Sequence, residues 1–94
     1  MADSKYHTEM RERLKSARVG AGAYIREVRE NHRPKLSQRE LAEKLNLPLY
    51  SDFVSMIETG TTYVRPQALA AWAEALGVDP QEFERKLLWP EVFH

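Results

Sequence analysis

The side chains in this sequence that could take part in chemistry are ionic and hydrogen-bonding groups rather than nucleophiles or metal ligands. The three histidines, His7, His32 and His94, are scattered, and no cluster of histidine, aspartate and glutamate has the spacing of metal ligands. The segment Gly20-Ala21-Gly22 lacks the third glycine of a nucleotide-binding loop and follows no predicted strand. We therefore expect a protein without enzymatic activity, metal, cofactor or small-molecule ligand.

The ionic side chains are divided unevenly along the chain, although the formal net charge is zero. Residues 1–47 carry a net charge of +4, and residues 48–94 carry a net charge of −4. A basic half can face phosphate groups while an acidic half faces elsewhere. A well-solvated mixed surface explains the same counts, so charge alone leaves both interpretations open.

Capping signals divide the chain into helices. Ser37-Gln38-Arg39-Glu40 has the pattern of a capping box, and Asp79-Pro80-Gln81-Glu82 repeats it with proline at the first helical position. Gly60 and Gly77 stand where helices need C-caps. Between these signals, apolar residues recur at spacings of three and four, and no alternating stretch indicates a strand. We predict a compact all-α fold of five helices, at about 19–32, 37–45, 50–59, 66–76 and 80–88.

The length and composition favour one small globular domain. The chain has 94 residues, enough for a single core. No apolar run reaches the roughly 18 residues that a membrane span needs, and the N-terminus lacks the apolar segment of a signal peptide. The absence of cysteine fits a reducing compartment. We expect a cytoplasmic protein, with residues 1–18 as an N-terminal arm or helical extension and residues 19–94 as the domain.

Several motifs in a fixed order resemble one family of DNA-binding proteins. The segments "YIREVRENHRPKLSQRELAEKL", "VSMIETG" and "RPQALAAWAEALGVDPQEF" are similar to the Cro/C1-type helix-turn-helix family of phage repressors and small bacterial regulators. The similarity covers roughly residues 19–88. It implies a lambda-repressor-like domain in which the second and third helices form the helix-turn-helix.

Two features of the sequence suit that geometry. Asn46 stands where the family usually has glycine, and asparagine is the non-glycine residue best able to adopt the left-handed conformation of a tight turn. Arg29 and Glu58 match the family's positions for a buried ion pair between the first and third helices. Pairing is expected because a lone buried glutamate would be costly. The alternative for this pair is a contact at the surface.

The resemblance also implies which side chains read the bases. The residues at or beside the family's base-reading positions, all expected to point outward, are Ser51, Asp52, Ser55 and Met56. Serine can donate to or accept from any base edge, aspartate can accept from the cytosine amino group, and methionine can pack on a thymine methyl group. Because arginine and glutamine are absent from this segment, either the helix recognises base steps that contain cytosine, or part of the recognition passes to the N-terminal arm and to DNA shape. The alternative is that this surface does not touch DNA.

Contacts to the DNA backbone are expected around the start of the second helix and after the third. The residues in question are Lys35, Ser37, Gln38, Arg39, Thr59, Thr61 and Arg65. Helix N-termini suit phosphates through their free N–H groups, and lysine and arginine neutralise the phosphate charge. The basic residues of the N-terminal arm either follow the DNA or belong to a solvated helix, and the sequence leaves both open.

The segment from Leu45 to Glu58 is two residues longer than the usual turn and third helix. The chain therefore enters the third helix through Leu47-Pro48-Leu49, and proline suits a turn or a first helical turn rather than a helix interior. The helix could begin at Ser51 as the N-cap or nearer Leu49.

The predicted function is a sequence-specific transcriptional regulator, a repressor that binds double-stranded palindromic DNA as a homodimer. The competing hypothesis is an antitoxin or a phage-encoded adaptor whose acidic C-terminal half binds a protein partner. The apolar C-terminal segment either folds back over its own core or meets a second copy, and we favour the dimer interface, because aromatic residues often anchor interfaces. Its residues are Leu88, Trp89, Val92 and Phe93.

Overall fold

A computed structural model describes the backbone of residues 2–48 and 52–88, and the side chains of residues 7–48 and 52–87. The helices are α1 (Ala2–Asn31), α2 (Gln38–Lys44), α3 (Phe53–Glu58), α4 (Leu69–Leu76) and α5 (Pro80–Leu88). A short 3-10 helix, Pro66–Ala68, leads into α4. The described residues contain no strand, so the predicted all-α fold of five helices is confirmed. None of the described helices is long and apolar enough to cross a membrane.

Helix α1 is much longer than predicted. It begins at Ala2 rather than near residue 19 and continues without a break to Asn31. The segment from residue 2 to residue 18 contains neither glycine nor proline, so nothing in it interrupts a helix. Residues 2–18 therefore form the helical extension that the sequence left as one alternative. The division of the chain into an arm and a domain at residue 19 stays a prediction.

Helix α3 begins later than either predicted start. Its first helical residue is Phe53, with Asp52 at the N-cap position, and residues 49–51 lie outside the described part of the chain. Helix α2 closes with Asn46 in the left-handed conformation at φ 57°, as predicted, and the backbone N–H of Leu47 donates to the carbonyl oxygen of Ala42 at 2.9 Å. The link between α2 and α3 is therefore anchored at its start by a left-handed turn.

One core joins all five helices. The side chains of Ile25, Leu41, Ile57, Trp72 and Phe83 come from α1 to α5 in order, and each is at most 3% exposed. Burying a large apolar side chain stabilises the fold by about 1.5–3 kcal/mol. This shared core holds α2 and α3 in a fixed relation to α1, α4 and α5.

Local caps set the helix bounds where the sequence predicted them. The Ser37 hydroxyl accepts from the backbone N–H of Glu40, and the Glu40 carboxylate accepts from the backbone N–H of Ser37, both at 3.0 Å. The Asp79 carboxylate accepts from the backbone N–H of Glu82 at the start of α5. Gly60 and Gly77 adopt positive φ angles of 81° and 73° after α3 and α4. The predicted capping box and C-caps are confirmed.

A buried carboxylate connects three helices. The Arg29 guanidinium of α1 donates to both oxygens of Glu58 in α3, through Nε to Oε2 at 2.6 Å and Nη2 to Oε1 at 3.0 Å. The Glu58 side chain is 2% exposed and that of Arg29 is 12% exposed. Arg29 Nη1 also donates to the carbonyl oxygen of Leu36, and the Gln38 side-chain amide donates to Glu58 Oε1 at 3.0 Å. The start of α2 is thereby tied to α1 and α3.

Helices α1 and α3 cross at Gly22. A Cβ atom there would lie 2.6 Å from the carbonyl oxygen of Glu58 and closer still to that of Ile57. The obstacle is backbone, which cannot turn aside as a side chain can. Only glycine therefore allows α1 to approach the C-terminal end of α3 this closely.

Gly22→Ala is expected to destabilise the protein. A glycine-to-alanine change inside a helix ordinarily stabilises it by up to about 1 kcal/mol. Here the added methyl group must push α1 away from α3, so we expect a net loss of roughly 1–3 kcal/mol in the free energy of unfolding. Urea denaturation followed by circular dichroism measures it. Ala23→Ser, at the exposed next position of α1, is the control and should change stability little. A Gly22→Ala variant as stable as the natural chain would contradict the close crossing.

Arg29→Ala is expected to cost about 3–5 kcal/mol, because it leaves the Glu58 carboxylate buried without its ionic partner. Arg26→Ala provides a matched control, since Arg26 pairs with Glu30 at 2.8 Å on the exposed side of the same helix. Exposed pairs four residues apart contribute only about 0.3–0.5 kcal/mol. The same denaturation experiment compares the two variants. Equal, small losses in the free energy of unfolding would show that the buried Arg29–Glu58 pair stabilises the fold no more than an exposed pair does.

Candidate nucleic-acid interface

The side chain of Gln38 lies at the start of α2 and is held by the buried carboxylate. Its Nε2 donates to Glu58 Oε1 at 3.0 Å, while the residue as a whole remains exposed. An amide side chain has two N–H donors and a carbonyl acceptor, so one bond to Glu58 leaves further hydrogen-bonding capacity. The sequence did not predict this link. It fixes the direction of a side chain that would otherwise rotate freely in water.

The Ser37 hydroxyl caps α2 through its oxygen, which leaves its O–H able to donate to another group. That oxygen accepts from the Glu40 backbone, so the side chain that was expected at a phosphate already satisfies a helix N-terminus. The backbone N–H of Ser37, and then its hydroxyl group, hold the pKa of the Glu40 carboxyl below its usual range. Glu40 therefore stays ionised near neutral pH and places a negative charge on this surface. That charge must be offset by cations if the surface meets phosphates.

The cations near the start of α2 are at the surface. Lys35 is exposed, and Arg39 lies 3.7 Å from Glu43 with about three quarters of its side chain exposed. Exposed pairs of this kind are weak and rearrange readily. Arg33 instead donates through Nη1 to the carbonyl oxygens of Glu30 and His32, at the C-terminal end of α1. Lys35 and Arg39 are thus the cations of this group that can turn toward an anion.

We define the outward surface of α3 as Met56 together with the N-cap residue Asp52 and the C-cap residue Thr59, all three exposed. Ser55 was expected to point outward with them, but it is half-buried. Helix α3 packs against both α1 and α2, and these neighbours leave Ser55 only partly exposed. Ser51 lies outside the described residues. The described part of α3 therefore presents one carboxylate, one flexible thioether and one hydroxyl to the solvent.

Two threonine hydroxyls lie together after α3. The Oγ1 atoms of Thr59 and Thr61 are 3.0 Å apart, and Thr59 Oγ1 also donates to the carbonyl oxygen of Met56 at 3.3 Å. That carbonyl oxygen accepts from the backbone N–H of Thr61 as well, at 2.9 Å. These bonds form a closed turn at the end of α3. The turn presents two exposed hydroxyl groups side by side.

Arg18 joins this region although the sequence placed it in the arm. Its Nε donates to the carbonyl oxygen of Gly60 at 3.2 Å, across 42 positions of the chain. A Cβ atom on Gly60 would lie 2.7 Å from Val19 Cα, so α1 passes directly over this turn. The guanidinium therefore sits beside the Thr59–Thr61 turn. No local pattern could reveal the contact, since it depends on where α1 crosses the end of α3.

Arg65 lies further along, in extended backbone before the 3-10 helix, and is exposed. The residues predicted for the dimer interface cannot be placed in the same way. Leu88 ends α5, but its side chain and all of Trp89, Val92 and Phe93 lie outside the described part of the chain. Among the described side chains, no group of histidine, aspartate and glutamate is arranged to hold a metal ion.

Comparison with known families gives one match. A family profile described as a helix-turn-helix domain matches residues 9–85, most of the chain. No curated protein and no solved structure matches the sequence. The matched range contains α2 and α3, the crossing at Gly22 and the buried Arg29–Glu58 pair. The chain belongs to the helix-turn-helix domain family.

Proposed function

We propose that the protein is a sequence-specific DNA-binding transcriptional regulator of the Cro/C1 type, a repressor that binds a palindromic operator as a homodimer. The observation that carries the proposal is the exposed outward surface of α3 beside a buried hydrogen-bond network that joins α2 to α3 and orients Gln38. A helix-turn-helix places its second helix in the major groove while the first crosses the DNA backbone. Helix α3 would enter the major groove, and α2 would cross the DNA backbone.

We assign base recognition to Asp52, Ser55 and Met56, and also to Ser51, which lies outside the described residues. Asp52 can accept from the amino group of cytosine, and Met56 can pack against the methyl group of thymine. Asp52 makes no side-chain hydrogen bond to the helix that it precedes, so its carboxylate is available to a base. The remaining discrimination is assigned to sequence-dependent DNA shape.

Backbone contacts are assigned to residues around that surface. Lys35, Ser37, Gln38 and Arg39 lie at the start of α2, and Thr59, Thr61 and Arg65 follow α3. Arg18 joins them because its guanidinium lies beside the threonine turn. A domain of this size covers about one half-site, so two copies a helical turn apart would supply the affinity of a specific complex.

An antitoxin or adaptor role remains the second candidate, since residues 48–94 carry a net charge of −4. A mobility-shift assay on the DNA upstream of the protein's own gene, at several salt concentrations, separates the two. A regulator should shift a discrete fragment, with affinity that falls as salt rises. The absence of any sequence preference at low salt would favour the adaptor.

Arg65→Ala is expected to weaken binding to every DNA sequence alike and to lower the slope of log affinity against log salt by about one. Gln38→Ala should also weaken binding to all DNA sequences alike. The salt slope should not change, because glutamine carries no charge. Fluorescence-anisotropy titrations of operator and random duplexes measure both effects. Lys86→Ala removes one cation from α5, which packs on α1 and α4, and serves as the control. A change in the preferred sequence would contradict the positioning role of Gln38 and Arg65.

Asp52→Ala is expected to relax the preference at one base pair, by roughly 1–3 kcal/mol. The loss of a negative charge should also raise non-specific affinity. The variant should keep its stability, since the Asp52 side chain makes no capping bond and its carbonyl oxygen still accepts from Met56. Glu74→Gln is the control, because it removes an exposed carboxylate from α4, away from the residues assigned to DNA. Selection from a randomised duplex pool, followed by sequencing, compares them. Tighter binding everywhere with unchanged specificity would show that Asp52 reads no base.

A further inference from the structure

The contacts between α1 and α5 indicate that the two helices run antiparallel. The ring of Phe83 packs on that of Tyr24 with centroids 6.0 Å apart, and Lys86 Nζ lies 5.1 Å from the Tyr24 ring. One turn further along α5, Leu87 borders the same space as Leu14 and Ala21. Toward its C-terminus, α5 therefore runs beside α1 in the direction of the N-terminus of α1. The C-terminal end of α5 is directed along the N-terminal half of α1.

An apolar groove lies where α5 ends. Its volume is about 450 Å³, and its walls come from α1, α3, the segment before the 3-10 helix, the start of α4 and the end of α5. The side chains that line it are mostly aliphatic or aromatic, among them Leu14, Ala17, Tyr63, Val64 and Leu87. Leu14 is 53% exposed and Tyr63 is 59% exposed. Two large apolar residues thus stand at the rim without cover from the described residues.

The apolar surface continues along α1 beyond the groove. Met10, Leu14, Ala17 and Ala21 follow spacings of four, three and four, which places them on one side of the helix. Met10 is 40% exposed. This side of α1 has the pattern of a buried helix surface, yet both of its large apolar residues, Met10 and Leu14, are exposed. Such a stripe calls for an apolar partner.

We propose that residues 89–94 of the same chain occupy this groove and lie along the N-terminal half of α1. The sequence after Leu88 is Trp-Pro-Glu-Val-Phe-His, which includes two aromatic residues and a valine. Six extended residues reach about 20 Å. From Ala21 to Met10 is about 16 Å along a helix axis, so the segment is long enough to cover the stripe.

Three considerations favour this occupant over a second copy. Antiparallel packing delivers the segment to the groove without a reversal of the chain. Leu87 is already part of the wall, so the next residues begin at the rim. The tether also gives a high effective concentration, whereas a second molecule must lose translational freedom on binding. This placement differs from the sequence-based preference for an interface between two copies, and it takes the intramolecular alternative instead.

The test uses the natural absence of cysteine. Arg13→Cys on α1 and Glu91→Cys in the segment leave every apolar side chain of the contact in place, and a short bismaleimide is added to the purified double variant. We expect a cross-linked product of monomer mass, at a rate independent of protein concentration. Glu43→Cys with Glu91→Cys, which places the first thiol on α2, should react much more slowly. A product of dimer mass would overturn the proposal in favour of an interface between copies. Equal rates in both pairs would overturn it as well.

A second measurement reports on α1 itself. Trp89→Ser should speed hydrogen exchange at the backbone amides of residues 8–18 several-fold and leave α4 unchanged, because only the extension loses its cover. Glu91→Gln is the control in the same segment and should leave exchange unaltered. Neither experiment involves DNA, so its outcome is independent of the proposed function. Unchanged exchange in residues 8–18 would contradict the contact.

Discussion

The fold depends on the buried carboxylate of Glu58. Burying an unpaired carboxylate would cost several kcal/mol, so its position demands partners, and the structure supplies Arg29 from α1 and Gln38 from α2. The guanidinium approaches both carboxylate oxygens and still reaches the carbonyl oxygen of Leu36, which fixes the chain entering α2. No buried side-chain nitrogen or oxygen atom among the described residues lacks a partner. The carboxylate therefore sets the relation of α1, α2 and α3, and Gly22 makes the close crossing possible.

Local signals were predictable because each depends on a few neighbouring residues. The Ser37–Glu40 capping box, the left-handed turn at Asn46 and the start of α5 at Pro80 all involve groups within about four positions of one another. Backbone geometry alone brings such groups together, so a pattern in the sequence is close to a statement about structure. The start of α3 was not predictable in this way. Two extra residues and Pro48 leave several entry paths of similar local energy, and packing of Phe53 and Val54 against the rest of the fold decides among them.

Contacts between distant segments were the least predictable. The bond between Gln38 and Glu58 spans 20 positions, and that between Arg18 and Gly60 spans 42. The first depends on the packing of α2 against α3, and the second on the crossing of α1 over the end of α3. Residue types alone predict neither arrangement. The helical extension of α1 was left open for a related reason: its charged sequence suits a solvated helix and a DNA-following arm equally. The exposed Met10 and Leu14 of this extension can be interpreted as part of an apolar surface only once the groove formed with α5 and Tyr63 is known.

On the proposed function, the arrangement of charge separates affinity from specificity. Cations stand around α3 rather than on it, at Lys35, Arg65 and Arg18, whereas the outward surface of α3 carries Asp52. Contacts to phosphates pull any DNA toward the domain, since they carry no sequence information. A carboxylate at the start of α3 repels phosphates and has a favourable partner only where a cytosine amino group is presented. Discrimination then arises as much from the cost of wrong sites as from the gain at the right one. A recognition helix without arginine or glutamine can be selective on this basis, provided that the residues around it supply the attraction.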